Sequence, residues 1–158
     1  MSTPPRRHAI ELVGAADLPE LLGLMRAYCD FYGATPGEEA LLDLSRALLA
    51  DPEREGVQLI ARDERATPVG FATIFWSWST TTASRIGVMN DLYVVPEARG
   101  EGLADRLIEA CVERCARRGA ASLQWQTAPE NVRAQAVYDR VGGVREHWLD
   151  YSIDIASG

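Results

Sequence analysis

The chain has 158 residues, of which 47% are hydrophobic and 25% charged, and it carries a formal net charge of -7 at pH 7. This length fits one domain, residues 1–158, with enough chain for a hydrophobic core. The negative charge argues against nucleic acid as the main partner, because phosphate contacts need a basic surface. It suits a cationic partner instead.

The sequence also argues against a membrane protein. No run approaches the roughly 18 apolar residues of a spanning helix, and the start of the chain lacks the apolar segment of a signal peptide. We therefore expect a cytoplasmic protein without a membrane partner, and a flexible N-terminus over residues 1–7. Cys111 and Cys115 stand one helical turn apart on an apolar stripe, with no further ligand at a suitable spacing, so no metal site is expected.

The first half of the chain is predicted to form a strand, two helices and a hairpin. An apolar strand over Ala9 to Val13 precedes a helix from Leu18 to about Phe31, whose apolar residues recur at helical spacing. A second helix runs from Pro36 to Ala50. Two strands, Val57 to Arg62 and Val69 to Ser77, flank a polar turn and form the predicted hairpin.

The second half alternates strands and helices. A strand over Ile86 to Val95 leads to a helix from about Gly102 to Arg118, a strand over Ser122 to Thr127 and a short helix over Ala134 to Val141. A last strand runs from Glu146 to Ile155. Strands joined first by a hairpin and later by helices predict an α/β fold of the α+β kind, a mixed sheet with helices on both faces.

The most informative segment lies between the fourth predicted strand and its following helix. After Pro96 the strand cannot easily continue, and Gly100 and Gly102 permit a positive φ or a close approach to a ligand. The first amides of the next helix have no intrahelical partners, and the positive end of the helix dipole lies behind them. The segment therefore predicts an anion site, to which Arg99 adds a charged donor.

Two motifs of this half stand in the order Arg99-x-x-Gly102-x-Ala104 and Asn131-x-x-Ala134-x-x-x-Tyr138. They resemble the (Gln/Arg)-x-x-Gly-x-(Gly/Ala) loop and the Asn-x-x-Ala-x-x-x-Tyr helix of the GCN5-related N-acetyltransferases, the GNAT superfamily. Within it the pattern is nearest to the diamine and small-amine acetyltransferases. The resemblance implies a GNAT-like mixed sheet of six to seven strands, with the fourth and fifth splayed to admit the cofactor.

The resemblance further implies acetyl-CoA as co-substrate, held by loop amides at its pyrophosphate and by the fourth strand at its pantetheine. The residues implied in its binding are Leu92, Tyr93, Val94, Arg99, Gly100, Glu101, Gly102, Leu103, Ala104, Asp105, Asn131, Ala134 and Tyr138. Tyr138 matches the tyrosine that the family directs at the CoA sulfur. A free tyrosine has a pKa near 10 and a thiol near 8.5, so full proton transfer is uphill by roughly 2 kcal/mol. Hydrogen-bond donation by Tyr138 is therefore an equal alternative.

The group that accepts the proton of the amine stays open between two candidates. In the resembled small-amine enzymes the fourth strand carries Glu-Asp, where this chain has Asn90-Asp91. Asn90 cannot take a proton, and strand alternation is expected to send Asp91 to the opposite face. Asp91 itself and a water chain ordered by Asn90 are both retained. The candidate catalytic residues are Tyr138, Asp91 and Asn90.

Contacts to the acceptor are expected from three elements. Aromatic side chains can enclose a cation, although core packing is their common alternative role. The candidates are Phe31 and Tyr32 at the end of the first helix, Trp76 and Trp78 on one face of the third strand, and Gln124 and Gln126 on the fifth.

The sequence therefore predicts an acetyl-CoA-dependent N-acetyltransferase that acts on a primary amine, namely a small amine, a polyamine or a lysine-like amine, by direct attack in a ternary complex. A non-catalytic acyl-CoA-binding sensor is the alternative, since Asn90 stands where an acid is expected. The resemblance also suggests a homodimer joined through the last strands, where Trp148 and Tyr151 supply apolar area.

Overall fold

A computed structural model describes residues 7–156, and most of the predicted flexible N-terminus, residues 1–6, lies outside them. Its sheet has five strands in the order β1-β2-β3-β4-β5. From β1 to β4 neighbouring strands are antiparallel, whereas β4 and β5 are parallel. The strands are β1 (Ala9–Leu12), β2 (Gly56–Arg62), β3 (Pro68–Ser79), β4 (Ser84–Val94) and β5 (Leu123–Gln124).

Helices cover both faces of this sheet, as the sequence predicts. They are α1 (Leu18–Phe31), α2 (Glu38–Ala50), α3 (Leu103–Arg118) and α4 (Val132–Arg140). Within residues 7–156 no helix combines the length and the apolar character that crossing a membrane requires.

The two faces carry separate hydrophobic cores because side chains alternate along each strand. On β2, Leu59 packs in the core that contains Leu107 of α3, whereas its neighbour Ile60 packs in the core that contains Leu21 of α1. In the α3 core, burial raises the pKa of Cys111 to about 12. That thiol is a packing group, as its position on the apolar stripe predicts.

The predicted sheet of six to seven strands is wrong in its count. Residues 144–156, which contain the predicted strand from Glu146 to Ile155, have no regular secondary structure. Their period-two pattern is present, but no neighbouring strand among residues 7–156 pairs with them. Alternating apolar residues indicate which faces a strand would have. A strand forms only where a second strand pairs with its backbone hydrogen-bonding groups.

The parallel contact between β4 and β5 is short. It consists of the pairs Gly87↔Leu123 and Val88↔Gln124, so β5 is shorter than the predicted strand from Ser122 to Thr127. On its other side β4 pairs with β3 through Val94, with one irregularity opposite Asn90. Beyond Val88, β4 therefore keeps one neighbour and leaves the other edge open.

Gly87 marks the place where α3 packs most closely on this junction. A Cβ atom there would lie 2.5 Å from the Cys115 Sγ and 3.1 Å from the Ile74 Cγ2. We expect Gly87→Ala to lower the free energy of unfolding by about 1–3 kcal/mol, measured by urea denaturation, because the core must shift.

Gly23→Ala is the matched control for this variant. Gly23 lies within α1, and an added Cβ there meets no heavy atom within 4 Å. Alanine in a helix interior is favoured over glycine by about 0.5–1 kcal/mol, so this variant should be neutral or more stable. Equal unfolding midpoints for the two variants would contradict the close packing at Gly87.

Candidate active site

A cleft of about 710 Å³ opens where β4 and β5 separate, between the end of α1 and the facing helices α3 and α4. It brings most of the predicted residues together. Those of the predicted set that line it are Phe31, Tyr32, Leu92, Tyr93, Val94, Arg99, Gly100, Gly102, Leu103, Ala104, Asp105, Asn131, Ala134 and Tyr138.

The glycine loop forms one end of the cleft. Gly100 has φ 82° and Gly102 has φ 77°, a left-handed conformation that side chains rarely adopt. A Cβ atom at either position would meet no heavy atom within 4 Å and would stand in open space. The glycines are thus required by the backbone conformation, and the space beside them is free for a ligand.

The start of α3 offers hydrogen-bond donors to that space. Its N-cap is Gly102, and no side chain of residues 7–156 caps it. The first amides of a helix have no intrahelical acceptor, and the helix dipole adds positive potential there. Together with the loop, these amides provide the donors that an anion-binding site uses.

Arg99 is held beside the loop by the end of β4. Its Nε donates a hydrogen bond to the Val94 carbonyl oxygen at 2.9 Å. Its guanidinium carbon lies 5.8 Å from the centre of the Tyr93 ring. These contacts fix the cation at the cleft wall.

A bidentate ion pair joins the two helices across the cleft. Arg140 of α4 donates from Nε and from a terminal nitrogen to the two carboxylate oxygens of Asp105 in the first turn of α3, at 2.8 and 2.7 Å. These hydrogen bonds hold the pKa of Asp105 below its usual value. Asn131 caps the other end of α4, where its Oδ1 accepts from the Ala134 amide at 3.2 Å. The ion pair thus holds the end of α4 against α3, and the cap satisfies an amide in the first turn of α4.

Tyr138 lies on this anchored helix and lines the cleft. Its ring makes an edge contact with Trp125, with centres 5.4 Å apart and planes at 71°. Burial raises the pKa of Tyr138 above its ordinary value. Its hydroxyl therefore keeps its proton at neutral pH and is available as a hydrogen-bond donor.

Asp91 and Asn90 are brought together by the irregularity in β4. Thr73 pairs with Asp91 and the next residue of β3 pairs with Met89, so Asn90 is an extra residue in its strand. The Asn90 Nδ2 donates to the Asp91 Oδ1 at 2.9 Å. The expectation that alternation separates these two side chains is therefore wrong, because a bulge interrupts the alternation.

The Asp91 carboxyl is buried, with 7% of the residue exposed. Burial raises its pKa above the usual value, and hydrogen bonds from Thr73, Asn90 and Tyr28 oppose that rise. Neither Asp91 nor Asn90 is among the residues that line the cleft. The carboxyl thus lies behind the cleft wall, within a polar network.

Tyr28 lines the cleft and links it to this network, a role that our sequence reasoning missed. Its hydroxyl donates to the Asn90 carbonyl oxygen at 3.2 Å, and its ring centre lies 4.9 Å from that of Tyr32. Phe31 continues the cluster, with its ring centre 5.1 Å from that of Tyr32. Burial, followed by the negative charge of Asp91, raises the pKa of Tyr28. The signal was present in the helical spacing of residues 28, 31 and 32.

The two tryptophans of β3 lie away from the cleft lining. Trp76 packs in part against the α3 core, and its Nε1 donates to the Pro52 carbonyl oxygen at 2.8 Å. Trp78 is exposed, with the Arg85 guanidinium 4.4 Å from its ring centre. Trp76 thus has the packing role that was the alternative, whereas Trp78 has the contacts of a surface residue.

Gln124, Gln126 and Glu101 are likewise absent from the lining. The Gln124 amide donates to the Ser122 hydroxyl at 3.3 Å, and the Gln126 amide to Asp150 at 2.7 Å. The Glu101 carboxylate lies 3.7 Å from the His8 Nε2.

Comparison with known proteins agrees with this geometry. The model of the acetyltransferase (GNAT) family matches residues 21–143. The chain belongs to the GNAT family. The N-acetyltransferase YhfO of Bacillus subtilis, itself uncharacterized, is 33% identical to it over 130 residues, which cover 80% of this chain and 83% of that protein. This protein is thus an N-acetyltransferase.

A further relative and a solved structure extend the comparison. A thialysine N-epsilon-acetyltransferase of Caenorhabditis elegans is 27% identical over 124 residues, covering 76% of this chain and 77% of that protein. The solved structure of the aminoglycoside N-acetyltransferase AAC(6')-Iy in complex with CoA has a TM-score of 0.83, with coverage of 99% and 100%, at 19% identity. At that identity the similarity establishes the shared fold.

The residues of the cleft fit acetyl-CoA, the acetyl donor of this family. The free helix amides and the open space beside Gly100 and Gly102 suit its pyrophosphate. The open edge of β4 after Val88 leaves backbone groups that suit an extended amide chain such as pantetheine. Among residues 7–156, no group of three or more His, Cys, Asp or Glu side chains is arranged to hold a metal ion.

Gly102→Ala tests the anion site. A methyl group there enters the open space, and the strained left-handed φ shifts the loop amides, so we expect acetyl-CoA to bind about 10- to 100-fold more weakly by calorimetry. This corresponds to the loss of one hydrogen bond to a charged group, about 1.5–3 kcal/mol.

Gly119→Ala is the control at the opposite end of the same helix. Gly119 has φ 79°, close to that of Gly102, and an added Cβ also meets no atom within 4 Å. Both variants carry a conformational cost of roughly 1–2 kcal/mol in thermal unfolding. Unchanged acetyl-CoA affinity in Gly102→Ala, or the same loss in Gly119→Ala, would contradict the site.

Proposed function

We propose that this N-acetyltransferase moves an acetyl group from acetyl-CoA to a primary amine, of the small-amine, polyamine or lysine-like class, in a ternary complex. The observation that carries the proposal is the shared lining of one cleft. It joins the free amides of α3 and the Tyr138 hydroxyl to the aromatic cluster of Tyr28, Phe31 and Tyr32. Donor and acceptor then meet without a covalent enzyme intermediate.

The aromatic cluster supports a cationic acceptor. Ring faces attract an ammonium group. Phe31 is 62% exposed and Tyr32 is 61% exposed, so both rings are accessible to a substrate. The buried Asp91 carboxyl beside Tyr28 adds negative potential behind the rings. A relative in Caenorhabditis elegans carries the name of an enzyme that acts on the ε-amine of thialysine, which agrees with this class.

The reaction requires the nitrogen lone pair of a neutral amine. That nitrogen forms a bond to the thioester carbonyl carbon, the carbon–sulfur bond breaks, and the amine loses one proton. The CoA sulfur leaves as a thiolate, which takes a proton from water. An amine with a pKa near 10 is almost wholly protonated at neutral pH, so a base must take its proton.

Asp91 is the proposed destination of the amine proton. Its burial behind the cleft wall argues against direct contact with the amine, so the proton travels through water ordered by Asn90. Burial raises the pKa of Asp91 towards neutral pH. A general base works best when its pKa lies near the operating pH. Main-chain amides on the open edge of β4 are proposed to stabilise the thioester oxygen.

Tyr138 is the proposed donor to the departing sulfur. Its raised pKa keeps the hydroxyl protonated but makes complete proton transfer less favourable, so hydrogen-bond donation is its expected contribution. Tyr138→Phe should lower kcat about 10²- to 10⁴-fold while acetyl-CoA affinity stays near normal. Thiol-release kinetics and calorimetry measure the two effects.

Tyr151→Phe is the control, because Tyr151 is 90% exposed and lies outside the cleft lining. It should leave kcat unchanged. A Tyr138→Phe enzyme with normal turnover would remove this hydroxyl from the mechanism.

The pH profile tests Asp91. The carboxyl must be ionised to take a proton, so kcat/KM falls as the pH falls through its pKa. Burial places this fall above the ordinary aspartate value near 3.9. The Asp91→Asn variant should lose this fall in kcat/KM, here called the acidic limb of the profile. Thr73→Val removes a hydrogen bond that lowers the pKa and should move the limb to higher pH, whereas Thr73→Ser keeps the hydroxyl and the limb.

Titration of the amine substrate itself contributes equally to every profile, so the comparison between the three variants isolates the carboxyl. Superimposable profiles for wild type and Asp91→Asn would favour a water chain that ends elsewhere.

The acceptor class is tested by thiol release from acetyl-CoA across polyamines, lysine analogues, aminoglycosides and basic peptides. We expect turnover with primary amines, and a raised KM for them in Phe31→Ala with the KM for acetyl-CoA unchanged. Tight acetyl-CoA binding without turnover on any amine would contradict the proposal and favour the sensor function.

A further inference from the structure

A row of three buried polar side chains crosses the sheet beneath α1. In the strand register Gln58 of β2 lies opposite Thr73 of β3, and Thr73 lies opposite Asp91 of β4. All three residues are buried. Directly opposed residues direct their side chains to the same face of a sheet, about 5 Å apart. The row therefore runs from the Asp91 carboxyl across β3 to β2, away from the open edge of β4.

The neighbours of this row on the same face are apolar. Ile60, two residues after Gln58, and Phe71, two residues before Thr73, pack in the core beneath α1. A polar pair in such a place needs every hydrogen bond satisfied, whereas an apolar pair of the same shape would be nearly neutral or stabilising. Stability alone therefore does not require Gln58 and Thr73, which directs attention to the group at the end of the row, Asp91.

Met25 of α1 determines which end of the Gln58 amide faces the row. Its thioether sulfur lies 3.9 Å from the Gln58 Nε2, and the same sulfur accepts a hydrogen bond from the Ser45 hydroxyl at 3.6 Å. A thioether can accept hydrogen bonds but cannot donate them. The amide nitrogen, and not the amide oxygen, is therefore the end that stands between Met25 and Thr73.

This orientation sets the direction of the next hydrogen bond. The Gln58 Nε2 donates to the Thr73 hydroxyl oxygen at 3.1 Å. Because an amide nitrogen only donates, the Thr73 oxygen must accept, and its single proton is left for another partner. That partner is the Asp91 carboxyl, which receives a hydrogen bond from Thr73. Hydrogen bonds in a chain polarise one another, so a Thr73 hydroxyl that accepts from the amide is a better donor.

The titratable groups that face Asp91 lie on α1. They are the Tyr28 hydroxyl and the Cys29 thiol, and burial, followed by the charge of Asp91, raises the pKa of both, so both are neutral at neutral pH. From β3 and β4 the groups are Thr73 and Asn90, which do not titrate. Within residues 7–156 no ion pair involves Asp91. Hydrogen bonds from neutral donors thus stabilise its charge, and the direction of each one matters.

We propose that Gln58 is a positioning residue for Asp91, which holds the Thr73 hydroxyl with its proton directed at the Asp91 carboxylate. The inference rests on the proposed function of Asp91 as the base. A carboxylate with a fixed donor on its inner side keeps its other lone pairs for the water that brings the amine proton. Gln58 is absent from the cleft lining, so it acts on the reaction through two other side chains.

The test measures the Asp91 carboxyl and the reaction separately. Gln58→Met keeps the side-chain length, removes the donor and adds a sulfur that competes for the Thr73 proton. In a carboxyl-carbon NMR titration, with the Asp91 signal assigned by its loss in Asp91→Asn, the midpoint should move to higher pH, because a hydrogen bond to the ionised form is weakened. On the acidic limb, kcat/KM relative to its plateau should fall about 3- to 10-fold below that of wild type at the same pH.

Ser45→Ala is the matched control, because it removes the other hydrogen bond to the Met25 sulfur and leaves the row intact. It should leave both titrations unchanged. In the Thr73→Val background, Gln58→Met should have no further effect, since the hydroxyl that Gln58 orients is absent. Acetyl-CoA binding and thermal unfolding establish that each variant is folded. Gln58→Leu should move the midpoint in the same direction and takes the place of Gln58→Met if that variant does not fold.

The outcomes separate this inference from the proposed function. An NMR midpoint of Asp91 that keeps its wild-type value in the folded Gln58 variant, or that moves equally in the Thr73→Val background, would overturn the positioning role. A shifted midpoint, together with a wild-type kcat/KM profile that has no limb dependent on Asp91, would support the positioning role and contradict the function of Asp91 as the base.

Discussion

The early end of the pairing between β4 and β5 is the constraint on which the site depends. Two residue pairs hold these strands together, and from there their backbones diverge. A continuous sheet would satisfy every backbone group of β4 and leave no space between α3 and α1. The divergence exposes one edge of β4, directs the glycine loop into the resulting cleft, and lets α4 bring Tyr138 to the opposite wall.

A buried polar network lies behind that open edge and supports it. Gln58 of β2 donates to the Thr73 hydroxyl at 3.1 Å, Thr73 pairs with Asp91, and Tyr28 completes the connection to the cleft. Within the described chain, no buried side-chain nitrogen or oxygen lacks a hydrogen bond. Full satisfaction matters here, because an unpaired polar group at this depth costs far more than a made hydrogen bond contributes.

Sequence reasoning succeeded where the cause of a structure is local. The glycine loop, its helix and the motif around Tyr138 depend on conformational preferences and on spacing within one segment. It failed where contacts with residues distant in the sequence determine the structure. Trp76 is held by the Pro52 carbonyl, and the bulge at Asn90 depends on the register with β3, neither of which the sequence displays. Tyr28 became visible as a site residue only when α1 was seen against β4.

The two cores on opposite faces of the sheet divide the enzyme into parts that can change separately. The loop and α3 are anchored in one core, whereas the aromatic residues at the end of α1 depend on the other. Substitutions that remodel α1 and the proposed acceptor contacts should therefore leave the proposed acetyl-CoA site intact. Such a scaffold lets a lineage acquire new acceptors while it retains one donor.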